Sequence, residues 1–184
     1  MNKTALVPIA NGSEEIEAVC IIDVLRRAGV DVTVASVEDT LEVTASRRTK
    51  LVADRPIGEC VGQTYDLIAL PGGMPGAERL RDCVSLIELL KAQREAGRLY
   101  GAICAAPVVA LHAHGLLAGR KATAHPSVSD RLPDQTPVAQ RVVVDGSCIT
   151  SRGPGTAIEF ALALVGALFD QEQAAEIGKH MLVK

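Results

Sequence analysis

The sequence predicts an α/β protein, a mostly parallel sheet with helices on both faces. Two observations carry that class. Apolar, strand-like runs at 5–10, 30–37, 65–70 and 99–103 alternate with helix-period segments, the order that parallel strands need for their crossovers. The length of 184 residues suits a single domain over 1–184, with 48% apolar and 22% charged residues as in ordinary globular chains. In such a sheet ligands settle beyond the carboxyl ends of the strands, near the point where strand order reverses.

Residues 5–10 read as a buried strand, and Asn11-Gly12-Ser13 as a turn whose Ser13 caps a helix over 14–28. Gly29 stops that helix. Its apolar residues (Ile16, Val19, Cys20, Ile21, Ile22, Val24, Leu25) spread over more than one face, whereas a helix on a sheet needs only one. The surplus predicts a second surface, most simply a homodimer interface. Val30, Val32 and Val34 alternate in the next strand, and 41–45 with 51–53 form a small hairpin exposing Arg47-Arg48. The strand at 65–70 ends in Pro71-Gly72-Gly73. An amphipathic helix over 76–96 follows, with Leu80, Val84, Ile87, Leu90 and Gln93 on one face. A strand then runs into Cys104, and a helix from Pro107 ends near His112-Ala113-His114-Gly115. Lys121-Ala122-Thr123-Ala124 reads as a short strand leading to His125. Residues 141–144 and 148–150 read as a hairpin with an Asp145-Gly146 turn of type I′. Ser151 to Thr156 turn the chain into an almost wholly apolar helix at 157–169, and a last helix starts at Asp170 with Gln173 as its capping partner.

The strand end at Cys104 is the centre of this pattern. An apolar run stops at a cysteine, small residues follow, and Pro107 opens a helix, which is the shape of a nucleophile elbow. A thiol there faces the positive end of a helix, which lowers its pKa. The competing reading is a buried structural cysteine. Glu14, Glu15 and Glu17 crowd the first helical turn; Glu14 and Glu15 complement its dipole, and Glu17 either does the same or turns inward as a buried, protonated carboxyl. Gly72 and Gly73 mark either a tight turn or a backbone that approaches something closely. Arg47 is a solvated loop residue or reaches an anionic ligand or a partner subunit. His125, at a loop edge, is a hydrogen-bonded turn histidine or part of a site.

Several classes are excluded. A net charge of −3, two Phe, two Tyr and no Trp offer neither the field nor the stacking platforms of a nucleic-acid binder. No apolar stretch approaches the roughly 20 residues that span a bilayer, so no membrane partner is expected. Met1-Asn2-Lys3-Thr4 leads straight into a strand instead of a signal peptide. Cys20, Cys60, Cys83, Cys104 and Cys148 are odd in number and lack a C-x-x-C pair, which fits a reducing cytoplasm and gives neither zinc site nor disulfide framework. His112 and His114, two apart on a helix, do not share a face, so no metal is expected.

Asn-Gly-Ser-Glu-Glu-Ile-Glu-Ala-Val at 11–19, Leu-Pro-Gly-Gly at 70–73, Ala-Ile-Cys-Ala-Ala-Pro at 102–107, Thr-Ala-His-Pro at 123–126 and Thr-Ser-Arg-Gly-Pro-Gly-Thr at 150–156 together resemble the ThiJ/PfpI superfamily, in the branch of YajL and the parkinsonism-associated protein deglycase. The resemblance covers essentially the whole chain. It implies a flavodoxin-like three-layer sandwich and a homodimer through the first helix. It further implies Cys104 as the reactive cysteine, Glu17 as a protonated carboxyl on its sulfur, and His125 as the third polar group. Gly73 and Ala105 N–H groups would form an anion pocket beside Gly72, with Arg47 reaching over from the partner. The implied activities are cofactor-independent glyoxalase and deglycase chemistry on methylglyoxal, glyoxal and glycated protein side chains, and a redox-sensing chaperone role through cysteine oxidation. The chain departs from class I glutamine amidotransferases, which share the elbow but need a late His-x-Glu pair; here the end reads His180-Met181-Leu182.

Overall fold

In the computed structural model, which describes residues 3–183, strands β1 (Thr4–Ile9), β2 (Asp31–Ser36), β3 (Glu42–Thr44), β4 (Lys50–Val52), β5 (Arg55–Pro56), β6 (Leu67–Leu70), β7 (Leu99–Ile103), β8 (Val142–Asp145) and β9 (Cys148–Ser151) form two sheets. The reading of Met1-Asn2 as no part of a signal peptide lies outside the described residues. The larger sheet has seven strands in the order β5-β2-β1-β6-β7-β9-β8, parallel except for the β8–β9 pair; β3 and β4 stand apart as an antiparallel hairpin. From β1 the chain first builds outward through β2 to β5, then returns to add β6 and β7 on the other side. The order therefore reverses between β1 and β6, and the crevice beyond their carboxyl ends is the topological switch point.

Helices α1 (Glu15–Arg27), α4 (Ala157–Leu168) and α5 (Gln171–His180) cover one face, burying Ile21, Leu25, Phe160 and Leu164. Helices α2 (Gly76–Asp82) and α3 (Val84–Glu95), with a wide helical turn at Pro107–Leu111, cover the other and bury Leu80, Leu86, Leu90 and Leu111. Each such side chain contributes roughly 1.5–3 kcal/mol by leaving water, so these two apolar layers hold the sheet between them. The flavodoxin-like sandwich expected from the sequence is the fold.

Several local expectations need correction. The cap of α1 is Glu14, whose carboxylate accepts from the Glu17 N–H at 2.8 Å; Ser13 Oγ instead accepts from the Ala10 N–H and closes the turn. The single helix expected over 76–96 is two, because Cys83 is extended (φ −79°, ψ 100°) and resets the helical phase. That reset turns Val84 out to 70% exposure, away from Leu90 and Gln93. Residues 121–124 are not a strand; the Thr123 N–H donates to Thr150 Oγ1 where a ladder carbonyl would stand. The helix from Pro107 is only a wide turn followed by a tighter one at His112–His114. The β8–β9 loop is Gly146-Ser147, with positive φ at Gly146 and not at Ser147, the type II′ pattern instead of I′. Asp170 does cap α5, accepting from the Gln173 N–H at 2.8 Å.

Candidate active site

Three adjacent strand ends, those of β1, β6 and β7, place the singled-out residues around one point. Cys104 follows β7 directly and sits at φ 66°, a left-handed conformation that non-glycine residues adopt at a cost of about 1–3 kcal/mol. The turn is held from both sides: the Cys104 N–H donates to the Ser151 carbonyl at 3.0 Å, and its carbonyl accepts from the His125 N–H at 2.7 Å. These bonds tie the elbow to the end of β9 and to the 123–126 segment. A strained backbone so pinned presents the thiol instead of relaxing.

Glu17 lies on the first turn of α1, directly under the switch point, and is wholly buried. Its Oε2 accepts from the Gly72 N–H at 2.7 Å, while Oε1 is buried without a hydrogen-bond partner among the described residues. Burial disfavours the carboxylate, and although the Gly72 N–H opposes it, the pKa rises to about 7. The inward reading of Glu17 holds.

Gly72 and Gly73 are glycines because nothing larger fits. A Cβ on Gly72 would stand 2.6 Å from Cys104 Cβ, and one on Gly73, at φ 85°, would stand 2.5 Å from the Glu14 nitrogen. The close packing brings the Gly73 and Ala105 N–H groups onto the Cys104 sulfur, where both favour its anion. Even so, the thiol is not acidified as a helix end alone predicts. Burial and the neighbouring Glu17 carboxylate push it up to about 12. Below the elbow there is a wide turn and not a long helix, so the dipole is short. Glu17 and Cys104 thus share protons: the carboxyl ionises near neutrality and becomes a base beside a thiol that keeps its proton.

His125 is partly buried, with Nδ1 paired to Ser127 Oγ at 2.8 Å; its backbone is fixed to Cys104 as above. Arg47 is not brought to this point within one chain. Its backbone N–H is held by Glu15, and among the described residues its exposed guanidinium meets the Ser46 carbonyl alone, at 3.4 Å. Sequence reasoning missed Ser151, whose carbonyl anchors the elbow, and the true work of Glu15. That carboxylate accepts from Ser46 Oγ and the Arg47 and Thr49 N–H groups; although burial opposes, these bonds hold it at about 2. Nothing in the local sequence marks a partner some thirty residues away. Among the described residues no group of His, Cys, Asp and Glu side chains could hold a metal, and no helix is long and apolar enough to cross a membrane.

An open parallel sheet with a cysteine on a strained strand-end elbow, a buried carboxyl against it and two N–H groups aimed at its sulfur defines a class of α/β proteins with a nucleophile elbow. Within that class the chain belongs to the DJ-1/PfpI family, whose model matches residues 3–167. It is 51% identical over 178 residues to Protein DJ-1 homolog A of Arabidopsis thaliana, an alignment that covers 97% of this chain and 45% of that protein. The chain thus spans less than half the length of that relative. It is 39% identical over 182 residues to the glutathione-independent glyoxalase DJR-1.2 of Caenorhabditis elegans, covering 97% of this chain and 96% of that one. The structure of Toxoplasma gondii DJ-1 in an oxidised form superposes with a TM-score of 0.96 at 51% identity, over 98% of each chain.

Proposed function

We propose that the protein is a cysteine-dependent, cofactor-independent glyoxalase and protein deglycase acting on methylglyoxal, glyoxal and their early adducts. The observation that carries this reading is the pairing of the Cys104 thiol with the buried Glu17 carboxyl, next to the Gly73 and Ala105 N–H groups. Glu17, ionised near neutrality, takes the thiol proton as Sγ adds to the aldehyde carbon. The carbonyl oxygen, now an alkoxide, is met by the two N–H groups and takes that proton from Glu17 to give a hemithioacetal, which leaves Glu17 ionised again. Glu17 then removes hydrogen from that carbon and returns a proton to the neighbouring one through an enediol, leaving a 2-hydroxy thioester. Water cleaves the thioester, regenerates the thiol and releases lactate; the sum is methylglyoxal plus water. For deglycation the same sulfur attacks the carbinol carbon of an adduct on Cys, Arg or Lys, the C–S or C–N bond to that side chain breaks, and the freed thiol or amine takes the proton Glu17 drew from Cys104, which leaves the same hemithioacetal. His125, with Nδ1 on Ser127, is the third polar group and orients substrate from the side.

The glyoxalase name carried by the Caenorhabditis relative supports this reading. Its test is multiple-turnover lactate production from methylglyoxal without glutathione, for wild type beside Cys104→Ser. Turnover that vanishes in the variant supports it; no turnover in either overturns it.

A second reading, a redox sensor or chaperone, draws on the oxidised form of the Toxoplasma relative. Here two equivalents of peroxide, each giving up one oxygen and leaving as water, oxidise Cys104 through a sulfenate to a sulfinate that a protonated Glu17 hydrogen-bonds. A sensor responds to peroxide once per site, whereas an enzyme turns over aldehyde many times. We also propose one domain working as a homodimer through α1, whose Ile16 and Val19 are 52% and 47% exposed, with Arg47 approaching the partner's site. The five free thiols suit a reducing cytoplasm.

A further inference from the structure

Beside the elbow a cavity of about 310 Å³ opens between the 123–126 segment and the entry to α4, lined by His125, Arg141, Arg152, Gly153 and Pro154 among others. Its charges are one-sided. Arg141 is neutralised, forming a double hydrogen bond to Glu159 (2.7 and 2.8 Å) and another to the Gly155 carbonyl. Arg152 is not. Among the described residues its Nε is buried with no acceptor, and Nη1 meets the Ala139 carbonyl alone, at 3.4 Å. No carboxylate lines the cavity. A buried guanidinium N–H left unpaired is costly, and an acceptor brought by a bound anion would satisfy it. Arg152 is also placed with respect to the thiol. It follows Ser151, whose carbonyl receives the Cys104 N–H, and the His125 that shares its cavity is bonded to the Cys104 carbonyl.

We infer that this cavity is an anion subsite in which Arg152, with the His125 ring beside it, binds a carboxylate or phosphate borne by the molecule that reacts at Cys104. This extends the proposed function, on which it rests for the reactivity of Cys104, by adding to the neutral dicarbonyls a further substrate class: small carbonyl compounds carrying an anionic group. Arg152 is then a specificity residue, since its planar fork matches oxyanions two bonds at a time. The lactate carboxylate formed in the glyoxalase reaction belongs to the same chemistry.

The test avoids aldehyde turnover, so that its failure is distinguishable from failure of the glyoxalase reading. Iodoacetate and iodoacetamide differ in little but charge, and the rate of Cys104 alkylation by each is read by mass spectrometry, with Cys104→Ser fixing the background. In Arg152→Gln the iodoacetate-to-iodoacetamide rate ratio falls at least about tenfold, the loss of one charge-assisted hydrogen bond, while the iodoacetamide rate holds. Arg152→Lys, which keeps the charge but not the fork, retains an intermediate ratio. An unchanged ratio in Arg152→Gln, or equal falls in both rates, overturns the subsite.

Discussion

Glu15 and Glu17 stand two residues apart on the same helical turn and have opposite electrostatics. The Glu15 carboxylate is met by three donors from the loop between β3 and β4 and is drawn down to about 2. The Glu17 carboxylate accepts from one N–H, has its other oxygen unpaired among the described residues and lies beside a thiol, and burial lifts it to about 7. One residue type, placed on the outer and inner sides of one turn, makes a structural clamp in one case and a titrating base in the other. The difference teaches that satisfied donors, and not position on a helix, decide which carboxylates remain charged.

Removing the inner partners has the largest effect. Cys104→Ser abolishes methylglyoxal turnover while thermal stability changes little, as a lactate assay beside a melting curve will check. Glu17→Gln lowers kcat by about 10²–10⁴, the usual contribution of a positioned acid–base group. Glu17→Asp retracts the carboxyl from the sulfur but keeps an acid–base group, and its kcat falls between those of wild type and Glu17→Gln. Gly72→Ala drives a methyl into Cys104 Cβ, 2.6 Å away, and costs about 1–3 kcal/mol of stability together with activity. Urea denaturation and kcat should fall in the same variant.

The outer side gives smaller, purely structural effects. Glu15→Gln loses charge-assisted bonds to the 46–49 loop and costs on the order of 2 kcal/mol at neutral pH. The pH signatures sharpen the contrast. Glu15, lowered from 4.5 to about 2, contributes stability that is complete above 4.5 and lost as pH falls toward 2. Glu17, raised from 4.5 to about 7, has the opposite sign: the folded state keeps a proton that the unfolded chain has released, so stability declines as pH rises from 4.5 to 7 and then levels. Denaturant midpoints across pH should lose the first slope in Glu15→Gln and the second in Glu17→Gln.

The strand ends were legible because apolar runs terminate abruptly in residues with evident constraints: Gly72-Gly73 after β6 and Cys104-Ala105-Ala106 after β7. Convergence on one crevice followed from the α/β order alone. What stayed hidden depends on long-range or phase-sensitive packing. Cys83 looks compatible with a continuous helix, and only the demand that α2 and α3 each reach the sheet breaks it there. Residues 121–124 have strand-like composition, but side-chain hydroxyls take over the ladder bonds. The acidity of Cys104 was misread because a helix end is local in sequence, whereas Glu17 and burial act from elsewhere in the fold. Arg152 sits inside a quoted motif, yet only the structure isolates its guanidinium.

The central claim is that Glu17 and Cys104 act as one proton-sharing pair. Its most direct test is the rate of Cys104 alkylation by neutral iodoacetamide between pH 5 and 10, in wild type and Glu17→Gln. In wild type the rate rises with an inflection near 7, where Glu17 becomes a base; in the variant that inflection is absent and reactivity rises only at high pH. Superimposable profiles would contradict it.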